Sequence, residues 1–144
     1  MDTPRPIAPP PHRPLARLGL PTAPAEAVAA VRAGLPVAAF EALARALHVP
    51  EGRLAQVVGL SATTLGRRKR ARALAPDEGD RVWRVAALFD RAVQVFGGEE
   101  DAAAWFVDPN LALGDVAPLA LADTAPGVRA IDDLLGRIEY GVYS

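Results

Sequence analysis

The longest amphipathic stretch of the chain, residues 76–96, limits the possible folds more than any other feature. Pro76 and two carboxylates form a strong helix start, and Gly97-Gly98 forms a stop. Apolar residues recur along the stretch at the spacing of one helical face: Val82, Val85, Ala86, Phe89, Val93 and Phe96. The sequence therefore predicts one long helix with a continuous apolar face.

The rest of the chain also has a helical pattern. Alternation of β-branched and aromatic residues over strand-length windows is hard to find, which predicts an all-α fold. At 144 residues and 51% apolar content, the chain can fill a core of one average or two small domains. Further helices are expected at residues 24–34, 36–47, 50–58, 61–72 and 99–106, and from residue 124 to Gly141.

The first residues differ from this pattern, because eight of the 14 prolines fall within the first 24 residues. We therefore expect residues 1–23 to form a disordered Pro-rich tail. The chain has no cysteine, no stretch typical of a signal peptide and no apolar run near the roughly 18 residues of a membrane span. These absences predict a cytoplasmic protein with no membrane contact.

The net charge of −1 conceals an uneven distribution of charged residues. Residues 1–75 carry 11 basic and 4 acidic side chains, whereas residues 76–144 carry 5 basic and 13 acidic side chains. A basic half attracts a polyanion such as DNA, and an acidic half suits a protein partner, although two solvated surfaces would also explain the split. The predicted domains are residues 24–75 and residues 76–144.

Residues 50–72 have the pattern of a helix-turn-helix. Such a motif needs a small residue where the helices cross, a glycine in the turn and apolar residues that fix the second helix on the first. Ala55 and Gly59 meet the first two needs, and Leu54, Val58, Leu60 and Leu65 meet the third.

The second helix of this motif presents polar and basic residues suited to base edges and phosphates. Five of the six residues from Arg67 to Arg72 are basic, and on an isolated helix they would repel one another. The alternative is a purely structural helical hairpin with a solvated face. The candidate DNA-binding residues are Ser61, Thr63, Thr64, Arg67, Arg68, Lys69, Arg70 and Arg72.

Nothing in the sequence indicates an enzyme or a cofactor. Paired acids such as Asp132-Asp133 point apart on a helix, and only His12 and His48 are available as bases. We therefore expect no catalytic residues, no metal site and no cofactor.

The end of the chain, residues 134–144, closely resembles the end of Xre-type antitoxins of the Xre/RES toxin-antitoxin class. The resemblance covers about residues 36–144 and includes Ala104-Trp105-Phe106, Pro109-Asn110, Ala112-Leu113-Gly114 and the helix-turn-helix. It departs from the family pattern at Asp115, where a glycine is common, and at Ala75, where a capping serine is common.

This resemblance implies an Xre/Cro-like DNA-binding part, usually dimeric, followed by a small helical domain that inactivates a RES-domain toxin. RES toxins of this class degrade NAD. By this resemblance, the chain would be an antitoxin that neutralises such a toxin and also represses its own operon. The toxin-binding residues implied are Leu113, Gly114, Arg137, Tyr140, Gly141, Val142, Tyr143 and Ser144. Two alternatives remain open: a plain transcriptional regulator whose C-terminal half only dimerises, and a structural adaptor without DNA affinity.

Overall fold

The computed structural model describes residues 14–141, and over these residues it contains nine α-helices and no β-strand, which confirms the predicted all-α fold. A 3₁₀ turn, Leu111–Leu113, precedes the eighth helix. None of the helices within residues 14–141 is long and apolar enough to cross a membrane. The helices are α1 Pro14–Arg17, α2 Pro24–Ala33, α3 Val37–Leu47, α4 Glu51–Val57, α5 Ala62–Ala71, α6 Pro76–Phe96, α7 Glu99–Val107, α8 Pro118–Leu121 and α9 Ala125–Glu139.

The start of α6 compensates for the missing capping serine. Ala75 has no side-chain acceptor, but Glu78 in the first turn of α6 accepts a hydrogen bond from the Ala75 backbone N–H at 2.8 Å. Pro76 at the first helical position has no N–H that needs a partner. Half of a capping box therefore remains, and the carboxylate lies at the positive end of the helix dipole.

The long helix α6 lies at the centre of the molecule, and α1, α2, α7 and α9 all pack against it. Its predicted apolar face is buried at Val82, Val85, Ala86, Phe89 and Val93, and Phe96 is half-buried. On α9, Ile131 and Leu135 are fully buried. The amphipathic pattern therefore gave the inward face of α6 correctly.

One hydrophobic core runs through both halves of the chain. Phe40 of α3, Phe89 of α6, Phe106 of α7 and Ile131 of α9 are all fully buried in the same cluster. The rings of Phe89 and Phe106 meet edge to face, with centroids 6.4 Å apart and planes 80° apart. The basic and acidic halves are therefore packed on each other through shared apolar side chains.

The expectation of a disordered tail over residues 1–23 needs correction for its last ten residues. Residues 14–17 form α1, and Leu15, Leu18 and Leu20 are buried in the core. Trp83 of α6 holds the following segment by donating a hydrogen bond from Nε1 to the Pro21 carbonyl at 3.0 Å. Leucines at positions 15, 18 and 20 offset the prolines because they bury apolar surface on α6. Residues 1–13 lie outside the described residues.

Candidate functional sites

Helices α4 and α5 form a helix-turn-helix with the geometry that the sequence predicts. Leu54, Val58 and Leu60 are buried, and Gly59 makes the turn with a left-handed φ of +73°. Arg81 of α6 covers the turn by donating a hydrogen bond from Nη1 to the Val58 carbonyl at 3.2 Å. The turn is therefore fixed both by its own apolar residues and by the long helix.

Ser61 begins the second helix as predicted. Its Oγ accepts a hydrogen bond from the Thr64 backbone N–H at 3.1 Å and donates to Thr64 Oγ1 at 2.9 Å. The Ser61 side chain therefore caps α5, and Ser61 remains exposed at the tip of this helix.

The outward face of α5 carries Thr63, Arg67 and Arg70, which are all exposed. Their spacing of four and three residues places them in one line along the helix. No residue of α5 is fully buried, and its sole half-buried apolar side chain, Leu65, packs against the core. Helix α5 therefore lies at the surface, and the row formed by Thr63, Arg67 and Arg70, which we call the outward line of α5, faces solvent.

Arg68 points the other way and contacts α6. Its Nε and Nη2 donate to the two carboxylate oxygens of Glu78 at 2.8 and 3.1 Å. This hydrogen bond lowers the pKa of Glu78 and raises the pKa of Arg68, and the Ala75 N–H lowers the pKa of Glu78 further. The sequence did not reveal this pair, because Glu78 could be interpreted as a helix-start carboxylate alone.

Lys69 is also engaged within the molecule. Its Nζ lies 2.8 Å from Glu51 of α4 and 3.9 Å from Glu41 of α3, and the hydrogen bond that Lys69 donates to Glu51 raises the pKa of Lys69. Two of the five clustered cations thus have acidic partners. Mutual repulsion on α5 is therefore weaker than the sequence alone implies.

Arg72 ends α5 in a left-handed conformation, with φ of +64°. Its carbonyl accepts a hydrogen bond from the Val37 N–H at 3.2 Å, and the Leu74 N–H donates to the Leu35 carbonyl at 2.8 Å. The backbone after α5 is thereby tied to the start of α3, while the Arg72 side chain stays exposed.

The candidate toxin-binding residues fall into two groups. Leu113 is half-buried and Gly114 is exposed in the loop around the 3₁₀ turn, where Asn110 and Val116 pair by a backbone hydrogen bond of 3.2 Å. Asp115 adopts a left-handed φ of +63° in this turn, at the position where the family commonly has glycine. Aspartate tolerates this conformation better than most residues.

The second group lies at the end of α9. Arg137, Tyr140 and Gly141 are exposed, with Tyr140 at 77% of its full area, so Tyr140 is a surface residue. Arg137 and Tyr140 line a groove together with Arg91 of α6, which the sequence did not single out. Arg91 also holds α9, since its Nε lies 3.0 Å from Asp132 and its Nη1 lies 3.6 Å from Glu139. Val142, Tyr143 and Ser144 lie outside the described residues.

Among residues 14–141, no group of three or more His, Asp or Glu side chains could hold a metal ion. Glu99, Glu100 and Asp101 lie in the first turn of α7, and Asp132 and Glu139 form ion pairs with Arg91.

Two protein-family models match the chain. The antitoxin Xre-like helix-turn-helix domain matches residues 26–87, and the antitoxin Xre/MbcA/ParS C-terminal toxin-binding domain matches residues 91–141. A curated protein called Antitoxin Xre, from Yersinia enterocolitica serotype O:8 / biotype 1B, is 33% identical over 98 residues, which are 67% of this chain and 66% of that protein. The chain belongs to the Xre-type antitoxin family.

A second Antitoxin Xre, from Photorhabdus laumondii subsp. laumondii, is 33% identical over 96 residues. These residues are 65% of this chain and 65% of that relative, so the matched part spans slightly less than two thirds of either curated protein. The matched families are not families of enzymes, in agreement with the sequence-based expectation.

The two family matches meet inside α6, between residues 87 and 91. In this Xre-type antitoxin, α6 therefore belongs to both matched parts: its first turns contact the helix-turn-helix, and its last turns pack against α7 and α9. The predicted division after residue 75 stays a prediction.

Proposed function

We propose that this chain is the antitoxin of a type II toxin-antitoxin system, which binds and inactivates a RES-domain, NAD-degrading toxin and represses its own operon by binding operator DNA. The observation that carries this proposal is the position of two exposed surfaces on different sides of α6. Glu78 contacts α5, whereas Arg91, thirteen residues later and hence about 140° away around the helix, contacts Asp132 and Glu139 at the end of α9. Two partners can therefore bind without competing for space.

For operator DNA, the proposed contact surface is the outward line of α5. Thr63, Arg67 and Arg70 are exposed, and Ser61 and Thr64 lie at the N-terminal tip, where a recognition helix approaches base edges. Arg72 can add a phosphate contact. Arg68 and Lys69 are proposed to act chiefly by holding α5 in place, because both already bind carboxylates.

For the toxin, the proposed contact surface is the end of α9 and the segment that follows it. Arg137, Tyr140 and Gly141 are exposed at this end, and arginine and tyrosine are favoured anchors of protein interfaces. Val142, Tyr143 and Ser144 would extend this contact, and Leu113 with Gly114 would add a second one. Arginine and tyrosine side chains of this segment can enter the nucleotide pocket of an NAD-degrading enzyme and cover it.

We also propose that the chain works in the cytoplasm as a homodimer within a hetero-oligomer with the toxin. A two-fold operator with half-sites one helical turn apart requires two recognition helices, and one chain supplies one.

The test is co-expression of this chain with the product of the neighbouring gene, with growth and cellular NAD as readouts. The full chain should restore both, and a variant lacking the last eight residues should restore neither. A matched variant in which Arg67 and Arg70 are alanine keeps the toxin-binding end and should still rescue growth. If the full chain rescues nothing, or if the neighbour is harmless, the chain is instead a plain regulator whose C-terminal half only dimerises.

A further inference from the structure

Three shallow depressions lie in a row along the side of α6 that faces away from α5. The first, of about 320 Å³, lies between α2 and α6, and the second, of about 230 Å³, lies between α6 and α9. The third, of about 590 Å³, lies at the end of α9. Trp83 lines the first two, and Arg91 and Asp132 line the last two, so the depressions are neighbours. We call this continuous surface the α6 groove.

The floor of the α6 groove is apolar over its first two thirds. Val31 and Trp83 line the first depression, and Ala87 and Val128 line the second. Val28 projects into the first depression and is 49% exposed, although it is a large aliphatic residue in the middle of a helix. An apolar floor of this kind next to charged residues is typical of a surface that binds protein.

The chemistry of the groove favours a protein over nucleic acid as its occupant. Asp80 lines its first part, and Asp132 and Asp133 line its last part. The arginines of α6 beside them are already paired, since Arg84 binds Asp80 and Arg91 lies 3.0 Å from Asp132. Arg32, Arg129 and Arg137 also line the groove, so it carries charges of both signs around its apolar floor. A polyanion gains most from a surface of basic residues alone, whereas an apolar floor with mixed charges at its edges suits a protein surface.

The direction of the groove argues against a second copy of the chain. A dimer that reads one operator must present both recognition helices to the same side of the DNA. Two copies joined through the α6 groove would direct their α5 helices away from each other, because α5 packs near Glu78 on a different side of α6.

The groove is instead continuous with the proposed toxin contact. Its last part is lined by Arg137 and Tyr140, immediately before the chain end proposed to enter the toxin. We propose that the α6 groove is a second contact surface for the toxin, which places an apolar ridge of a helix or loop against Trp83 and Val28. This inference rests on the proposed function, and it extends the toxin contact from the end of α9 to α2. A chain with toxin in this groove still has α5 exposed and can bind DNA.

The test compares Val28→Asp with Ala29→Asp, using the full chain. Both substitutions place a carboxylate at an exposed position of α2, but only Val28 lines the groove. The readouts are affinity for the purified product of the neighbouring gene, the mass of each chain in solution, and gel shift of the DNA upstream of its own gene. Circular dichroism during heating verifies that both variants are folded.

Val28→Asp should weaken toxin binding about tenfold or more, whereas Ala29→Asp should leave it within about twofold. Both variants should bind DNA like the unmodified chain, and the toxin should shift the DNA complex further without releasing it. Unchanged toxin affinity of Val28→Asp would overturn the inference while leaving the antitoxin function intact. A lower mass in solution for Val28→Asp, but not for Ala29→Asp, would also overturn it, because that result would identify the groove as a contact between copies of the chain. If the unmodified chain itself does not bind the neighbouring product, the proposed function fails as well.

Discussion

Glu78 of α6 holds Arg68 of α5 through two parallel hydrogen bonds of 2.8 and 3.1 Å, and the same carboxylate accepts the Ala75 N–H at the start of α6. Glu78 is buried, with 8% of its side chain exposed, and Arg68 is 27% exposed. A bidentate pair of this kind fixes the relative direction of both groups. It therefore sets the angle at which α5 leaves the molecule.

The neighbours Arg67 and Arg68 should behave differently when they are replaced. Arg67→Ala combined with Arg70→Ala removes two exposed cations, so DNA binding should weaken and the slope of log affinity against log salt should fall by about 2. Thermal unfolding of this variant should stay unchanged. Fluorescence anisotropy at several salt concentrations measures the slope.

Arg68→Ala is the matched comparison, because it removes the same kind of side chain from the adjacent position. It should lower the midpoint of thermal unfolding, since Glu78 is left buried without its partner. The assignment of the outward line on α5 would be wrong if the double variant bound DNA with unchanged affinity and salt slope.

The Glu78 carboxylate should make stability depend on pH in the acid range. Its pKa lies below the ordinary value of 4.5 in the folded chain, chiefly because Arg68 donates hydrogen bonds to it. A lowered folded pKa gives stability that is present above pH 4.5 and is lost as pH falls through the folded value. Glu78→Gln should therefore be less stable at neutral pH and should lose less stability than the unmodified chain below pH 4.5.

Urea unfolding at several pH values measures this effect, and the neutral-pH loss should be about 1–3 kcal/mol. Glu100→Gln, an exposed position in the first turn of α7, is the control and should follow the unmodified chain. Parallel curves for the unmodified chain and Glu78→Gln below pH 4.5 would show that another group dominates the acid slope.

The sequence predicted the helices well because each carries its own local signals. Ser61 and Thr124 cap α5 and α9, which begin where the sequence predicts, and the glycines at 59 and 97 adopt the left-handed conformation that ends a helix. Helix α8 was missed, because it lies in a stretch for which no helix was predicted. Helix α1 was missed as well, since its proline-rich surroundings argue against a helix. It is held by the burial of Leu15 and Leu18 on α6, a tertiary effect without a local signal.

The site was predicted less completely than the fold. The sequence placed the clustered cations on α5, but it could not separate the exposed Arg67 from the paired Arg68, because that separation depends on an acid in the next helix. The part of the α6 groove around Trp83 was missed for a related reason. The groove exists only once α2, α6 and α9 are packed side by side, and no spacing within one helix encodes it.

Two glycines of α9 should respond in opposite ways to alanine. A Cβ at Gly127 would overlap the Leu121 carbonyl oxygen, which belongs to the backbone and cannot rotate away, so Gly127→Ala should displace α8 or α9. A Cβ at Gly136 would meet Arg91 Nη2 at an ordinary 3.5 Å. Gly136→Ala should therefore stabilise the chain by about 0.5–1 kcal/mol through helix propensity, whereas Gly127→Ala should destabilise it by about 2 kcal/mol or more. Chemical denaturation of both variants is the measurement, and equal effects would contradict the close approach of α8 to α9.

The shared core predicts that both halves unfold together. Phe106→Ala in α7 removes a fully buried ring that meets Phe89 and should cost about 3–5 kcal/mol, while Leu111→Ala, at an 87% exposed position, should change stability by less than about 0.5 kcal/mol. Because α7 packs on α3 as well as on α6, the loss should appear equally in both halves. Hydrogen exchange of the amides in α3 and in α9 reports on the two halves separately. In Phe106→Ala, exchange through global unfolding should become faster by the same factor in both helices. If only α9 exchanged faster, the helix-turn-helix part would be stable without the acidic half, and the common core would not couple the two surfaces on α6.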